Sequence, residues 1–463
     1  MTEQLKLKLN DSKATRWGAL VIVAFTMMAA YYVNDVVAPL KTMLETDLAW
    51  SSTDFGFFTG GYSFLNVFFL MLIWGGLILD RFGIRFTGKL ATILMVGGTA
   101  LEYYAMTGLA GADATLFGIN EIFGYKTGVF VAFAGYSIFG VGTDVAGITV
   151  SKIIAKWFKG KELATAMGVQ VALARIGSQA GYAVAIPLAR AFGISTPVLL
   201  GLVLLLGGMI AFFIFAVMDK KLDKQMEAAA IAAGTEDEEE KFSFKDVKNI
   251  LVNPGFWLIA LLCVLFYSCV FPFQKFASEL MIIKYGINEN VAGTFAGLPA
   301  LGALILTPVF GGFIDKRGKS ASIMLLGSAM LICVHFIYAI PDINYWLVAI
   351  VLMIILGIAF SLVPSAMWPA VAKIFPVSQL GTAYALIFFI QNIGLWGIPT
   401  LIGWVLDAYC ISGKKPDGTN MYDYTVPMCI FTGIACLSLI VALLLKKADK
   451  KYGYKLEEPN IQK

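Results

Sequence analysis

Two charges stand in stretches otherwise too apolar to hold them. Arg175 lies in GVQVALARIGSQAGYAV (Gly168–Val184) and Asp144 in FGVGTDVAG (Phe139–Gly147). An arginine fork suits a carboxylate, and an aspartate at the same level suits an ammonium group. Set apart inside one cavity, such a pair suits a small zwitterion, an amino acid or a short peptide. Two other readings stay open: a structural ion pair, and a carboxylate site on Arg175 with Asp144 as a proton or gating group.

The elements that carry the two residues fix their height. Both flank the turn WFKGKE, with Asp144 16 residues before Gly160 and Arg175 15 residues after it. At about 1.5 Å per helical residue, each lies roughly 20 Å from that turn. In a bilayer this is near the midplane, where a charge is costly unless it faces a cavity or a partner.

A bilayer is what the composition demands. The 463 residues are 59% hydrophobic and 14% charged, with a mean hydropathy of +0.78. A soluble domain is nearer half apolar and a quarter charged. The net charge of +4 sits in short loops between apolar runs and implies no nucleic-acid partner. The single histidine, His335, and six cysteines without CxxC spacing imply neither a metal site nor a disulfide framework. No nucleophile–base constellation suggests an enzyme, and no cofactor is expected.

The apolar runs predict an all-α membrane protein of twelve spans: 17–42, 53–79, 86–108, 128–155, 162–188, 196–218, 256–283, 289–314, 321–340, 345–372, 379–406 and 425–446. Lys6, Lys8, Lys13 and Arg16 precede the first span, and basic clusters follow the second, fourth, eighth and twelfth. Both termini are therefore expected in the cytoplasm. The expected domains are a tail (1–16), a six-helix bundle (17–218), a solvated linker (219–255), a second bundle (256–446) and a second tail (447–463).

The chain also repeats itself. GGLILDRFG (Gly75–Gly83) returns as GGFIDKRG (Gly311–Gly318), which holds Asp315 and Arg317. Ile138–Gly177 aligns on Ile355–Gly394 without gaps, at an offset of 217 and with ten of 40 positions identical. The repeat partners of Asp144 and Arg175 are Ser361 and Asn392. A requirement of the fold would appear in both halves, and this pair of charges does not. Parallel six-helix repeats, and GxxxDRxGxR (Gly76, Asp80, Arg81, Gly83, Arg85) after the second span, resemble the major facilitator superfamily, with its central site between the halves. The resemblance implies a latch at that loop, Asp80 facing a helix N-terminus of the other half and the arginines pairing locally. Plain positive-inside anchoring is the alternative.

WFKGKELATAMGVQVALARIGS (Trp157–Ser178), YSCVFPF (Tyr267–Phe273), AMWPAVA (Ala366–Ala372) and QLGTAYALIFFIQNIGL (Gln379–Leu395) are more specific. With GGYSFLNV and GLILDRFGIR on the second span, they resemble the lysosomal dipeptide transporter family. The resemblance implies uniport of dipeptides, with an acid on helix 4 and an arginine on helix 5 taking the peptide termini. Carried over, these are Asp144 and Arg175. The family's acid is glutamate, so Asp144 reaches about 1.5 Å less. Lys275 stands where the family is not basic. The one N-x-S/T sequon, Asn10–Ser12, is on the predicted cytoplasmic side. A bacterial inner membrane is therefore expected, with the protein a monomer and without the family's glycoprotein partner. A carboxylate or amino-acid transporter, and a non-transporting receptor, are the alternatives.

Further candidates follow from position. Tyr267 and Trp368 are placed to wall the cavity, and Gln391 and Asn392 to hydrogen-bond a peptide group. Tyr62 and Asn66 share one helix face toward it. Interfacial anchoring or an outer gate is open for Tyr32, Asn34 and Asp35. An interfacial place is expected for Glu102, and an i,i+4 pair for Lys275 with Glu279.

Overall fold

A computed structural model describes residues 8–111, 114–158, 161–233, 244–415 and 417–459; the remaining parts of the expected tails and linker lie outside the described residues. Helices α1 (Lys13–Val36), α2 (Lys41–Asp47), α3 (Ser52–Phe68), α4 (Met71–Thr107), α5 (Thr127–Trp157), α6 (Leu163–Phe192) and α7 (Thr196–Ala233) form the first half. The second half comprises α8 (Phe244–Val252), α9 (Pro254–Tyr285), α10 (Glu289–Ala296), α11 (Leu298–Arg317), α12 (Ser320–Ala339), α13 (Trp346–Ile374), α14 (Val377–Tyr409) and α15 (Thr425–Tyr452). Two small antiparallel hairpins, β1 (Glu121–Ile122) with β2 (Tyr125–Lys126) and β3 (Ile411–Lys414) with β4 (Asn420–Tyr422), lie at the end away from the termini.

Among the described residues, nine helical segments are long and apolar enough to cross a bilayer, and α3 with α4 makes a tenth, bent by 58°. Gly83, at φ 75° and ψ 174°, divides α4 into two arms, and the 30 residues of α6 supply the remaining crossing. The twelve crossings thus stand, but three of the expected spans are broken. The first stops at Val36 because Pro39 lacks an N–H, and α2 follows. The second breaks at Leu70, which adopts φ 53°. The eighth breaks at Gly297, just before Pro299. The expected C-terminal tail begins as helix and packs back on the second half. Helix α15 runs on to Tyr452, Leu456 is buried, and the Lys319 and Ser320 N–H groups donate to the Glu457 and Leu456 carbonyls at 3.1 and 3.0 Å. At the same end, the N-terminal segment is tied to the α5–α6 turn by Arg16–Glu162 (2.9 Å) and Lys161–Asp11 (2.9 Å).

The repeat is visible as packing. In the first half α1 packs on α6 and α7, α3 on α5, and α4 on α5 and α7; in the second α9 packs on α14 and α15, α11 on α13, and α12 on α13 and α15. Two glycine pairs identical in the aligned block sit at these crossings. A Cβ on Gly140 would lie 2.1 Å from the Tyr62 carbonyl oxygen, and one on Gly177 2.1 Å from that of Met28. Their repeat partners Gly357 and Gly394 meet the Pro299 Cα at 3.2 Å and the Ser268 hydroxyl at 2.2 Å. Small residues here let helix backbones touch. Gly177→Val is therefore expected to destabilise by about 3 kcal/mol or more, because the clash is with backbone. Gly394→Ala meets a side chain that can turn, and should cost less; thermal unfolding in detergent compares the two.

Candidate substrate-binding site

Between the halves lies a cavity of about 640 Å³. Tyr62, Asp144 and Arg175 line it from the first half, and Tyr267, Trp368, Gln391 and Asn392 from the second. Asn66 stands behind the wall and acts through Asp144. The Asp144 carboxylate accepts hydrogen bonds from the Tyr62 hydroxyl (2.8 Å) and the Asn66 amide (2.5 Å). Both donors come from α3, so that helix fixes the carboxylate of α5. Arg175 makes no ion pair with Asp144 or any other carboxylate among the described residues. Its guanidinium lies 4.9 Å from the Phe360 ring centre and 5.7 Å from that of Tyr31, within cation–π range. The structure therefore does not form the internal ion pair: neutral donors hold the acid, and two aromatic faces hold the base with its N–H fork unoccupied by any carboxylate.

On the opposite wall the Trp368 indole donates to the Tyr267 hydroxyl (3.3 Å), and Cys263 Sγ donates to Gln391 Oε1 (3.4 Å). Asn392 donates to the Phe388 carbonyl (2.9 Å), while its buried Oδ1 has no partner among the described residues. An unmatched buried acceptor costs about 1–3 kcal/mol, which a ligand N–H facing it would relieve. Asn392 and its repeat partner Arg175 thus face the same cavity from the two halves.

The expected latch residues cluster at the end that carries the termini. Asp80 is exposed and pairs with Lys152 of its own half (3.0 Å), Arg81 lies over the Phe82 ring, and Arg85 pairs with Asp223 (2.9 Å). Gly76 borders open space, and Gly83 supplies the positive φ at the break in α4. Asp315 and Arg317 close α11 at the same end. Among the described residues, Asp80 has no partner in the second half.

The far end, away from the termini, is shut by contacts between the halves. Lys275 of α9 donates to the Asn34 carbonyl (2.6 Å), to Asp35 (3.2 Å) and to the Tyr136 hydroxyl (3.3 Å). This corrects one expectation and decides another between its alternatives. Lys275 does not pair with Glu279, and of the two places left open for Asn34 and Asp35 the structure puts them in the contact between the halves. Tyr32 is also buried, its hydroxyl donating to the Pro197 carbonyl at 3.2 Å. Beyond Lys275, the wholly buried Lys41 donates to Glu45 (2.6 Å) and Glu279 (2.5 Å), and Tyr424 donates to Glu279 (2.5 Å). Lys415 completes the cluster, 3.7 and 3.6 Å from the two glutamates. Asp407, at the end of α14, accepts from the Ser52 and Thr53 N–H groups at 3.3 and 2.5 Å, capping α3 across the divide. The interfacial place expected for Glu102 is corrected as well: it is fully buried, because α4 and α5 touch at Gly98 and Gly135 and enclose it.

The sequence reading missed Tyr31, Tyr136 and Phe360, which nothing in the pattern separates from packing aromatics. It also missed Lys41, Glu45 and Lys415. Lys41 and Glu45 carried a signal, an i,i+4 pair just past an apolar span.

A model of the Major Facilitator Superfamily matches residues 20–399 and 276–458. The lysosomal dipeptide transporter MFSD1 of Homo sapiens is 29% identical over 454 residues, which span 95% of this chain and 88% of that protein. The Gallus gallus protein of the same name is 33% identical over 287 residues, 59% of this chain and 62% of its own. Among solved structures, the peptide transporter POT superimposes with a TM-score of 0.66 at 14% identity, covering 95% of this chain and 94% of its own. The nucleoside transporter NupG does so with 0.68 at 12% identity, covering 92% and 98%. Those identities speak to the fold alone. With two halves that repeat the same helix crossings and a family match running from the first helix to the last, the chain belongs to the major facilitator superfamily.

Proposed function

We propose that this transporter carries dipeptides across the membrane by alternating access, Arg175 holding the terminal carboxylate and Asp144 the terminal ammonium group. The observation that carries the reading is the separation of the two charges: each faces the cavity and neither neutralises the other. The wall then offers one cation and one anion, because Lys275 is matched by Asp35. That balance favours a zwitterion with neutral side chains. A dicarboxylate would satisfy Arg175 and leave Asp144 beside an anion. The cavity volume lies within the range of small-ligand sites, about 300–1,000 Å³, and the likeness to MFSD1 supports the same cargo. Lysine- and arginine-rich turns at the end of the termini support a cytoplasmic placement of that end. The loops of the other end lack sequons, which supports a bacterial inner membrane. On this reading the Asp80 latch engages the second half only when the cytoplasmic end closes.

Thermal unfolding of the purified protein with dipeptides, single amino acids and small dicarboxylates tests the cargo. A true ligand at about 100 times its dissociation constant adds about 2.7 kcal/mol to stability. Stabilisation by dipeptides above the other two classes supports the reading, and stabilisation by dicarboxylates alone would sink it.

A further inference from the structure

The connection between α4 and α5 carries two tight turns of the same build. Leu116-Phe117-Gly118-Ile119 and Ile122-Phe123-Gly124-Tyr125 each close on a two-residue loop of Phe-Gly. Leu116 and Ile119 exchange both backbone hydrogen bonds at 3.0 Å, and Ile122 pairs with Tyr125. Phe117 and Phe123 sit at φ 54° and 52°, and the glycines after them at 79° and 81°. Positive φ at both central residues is the signature of a type I′ turn, whose first position suits asparagine or aspartate. A bulky side chain there is sterically costly, yet the chain accepts that cost twice. The two rings are 96% and 88% exposed. Their mount is firm. The Thr127 N–H donates to the Asn120 carbonyl (2.9 Å) and its hydroxyl to the Ile119 carbonyl (2.8 Å), which ties both turns to the head of α5. Tyr125 stacks on Phe57 of α3 at 3.9 Å, and Lys126 donates to the Ala49 carbonyl between α2 and α3 at 2.5 Å.

What covers rings held out in this way depends on where they stand. Helix α5 has 31 residues, about 46 Å at about 1.5 Å per residue, and a bilayer with its headgroups is about 40–45 Å thick. The first turn of α5, which holds Phe130, therefore stands in the far headgroup layer. The Phe123 ring centre is 5.9 Å from that of Phe130. From Phe130 the rings continue through Phe133 (6.1 Å) and Phe64 (5.0 Å) to Phe68 (4.8 Å), which is exposed at the middle of the second span, where hydrocarbon is the solvent. The turn thus extends a surface that already faces lipid. The second half agrees. Its matching connection, α12 to α13, places exposed Tyr345 beside Trp346 at the same end, and exposed Trp404 and Tyr409 stand there on α14. Aromatic rings gather at membrane–water interfaces. We infer that the α4–α5 connection is a membrane foot, whose Phe117 and Phe123 rings insert into the far-side headgroup region of the bilayer. Tyr125 and Lys126 carry the anchorage to α3 and the turn before it, so the first half keeps its depth while the second rocks against it. The foot is independent of the cargo.

Nitroxide labels read where the rings lie. Separate variants carry Phe117→Cys, Phe123→Cys and, as the reference, Glu121→Cys, exposed on the same hairpin. The exposed Cys333, Cys429 and Cys436 are replaced by serine, and the labelled proteins are placed in nanodiscs of phosphatidylcholine and phosphatidylglycerol. Oxygen concentrates in lipid, and a nickel chelate stays in water. The ratio of oxygen to nickel collisions at both phenylalanine positions should exceed that at Glu121→Cys severalfold. If nickel reaches either label as freely as it reaches the reference, the rings stand in water, open to a soluble partner, and the foot is overturned. If neither collider reaches them, they pack on protein, as on a second copy of this chain, and the foot is overturned again. Unlabelled thiols control for the label's own affinity for lipid. In the same nanodiscs Phe123→Cys should react with a charged maleimide severalfold more slowly than Glu121→Cys, and equal rates overturn insertion.

Discussion

Glu279→Gln is expected to open the far end. In the closed state Glu279 is 1% exposed and takes hydrogen bonds from Lys41 and Tyr424, with Lys415 3.6 Å away. The cluster is neutral, two lysines against two glutamates. Removing one charge leaves a buried lysine uncompensated, a loss of about 3–5 kcal/mol. The penalty falls on the closed state, because separating the halves lets water reach the orphaned charge. A shift of that size moves the closed–open equilibrium by about two to nearly four orders of magnitude. The distance between spin labels on Phe192→Cys and Val291→Cys, exposed far-end positions of α6 and α10, should therefore lengthen in Glu279→Gln and in Lys41→Met. Replacing both with methionine removes the pair together and should restore much of the closed population, since well-packed apolar groups often replace a buried pair at little cost. A Glu279→Gln protein that stays as closed as the wild type would show that helix packing at Gly56 and Gly403, not charge, holds this end.

Arg175→Ala is expected to abolish most dipeptide binding while leaving the fold intact. The guanidinium makes no ion pair among the described residues, so its removal breaks no such bridge and costs only the stacking on Tyr31 and Phe360. A carboxylate held by that fork loses hydrogen bonds worth about 1.5–3 kcal/mol, a drop of about ten- to a hundredfold in affinity. Arg175→Lys keeps the charge but not the fork, and should fall between the two. Asp144→Asn should weaken dipeptides without affecting a monocarboxylate that lacks the amine. Thermal shifts across ligand concentration measure all three. If dipeptides stabilise Arg175→Ala as strongly as the wild type, the terminal carboxylate binds elsewhere.

Much of the fold was legible because a bilayer leaves few choices. Backbone groups in hydrocarbon must be satisfied within the segment, so long apolar runs become helices, and counting them counts crossings. The repeat was legible for a related reason. Close helix contact, with backbone at Gly140, Gly177 and Gly357 and with the Ser268 side chain at Gly394, leaves little room for a Cβ, so these glycines stand in both halves. Asp144 and Arg175 were legible as exceptions to both rules, charged where the membrane disfavours charge and present in one half only. Breaks at Leu70 and Gly297 were harder to read. They depend on how a helix end must turn to reach its neighbour, which no local pattern records.

The sequence by itself determined the class of protein, its twofold internal symmetry and the two charges in its middle. Only the tertiary structure decided what those charges face and what shuts the far end. Whether Arg175 meets Asp144 or an aromatic ring depends on side-chain direction across several helices. Whether Lys275 answers Glu279, four residues along its own helix, or Asp35, 240 residues away, depends on which half lies opposite. Spacing along one helix settles neighbours within it. Partners across a moving interface are settled by how two rigid bundles meet.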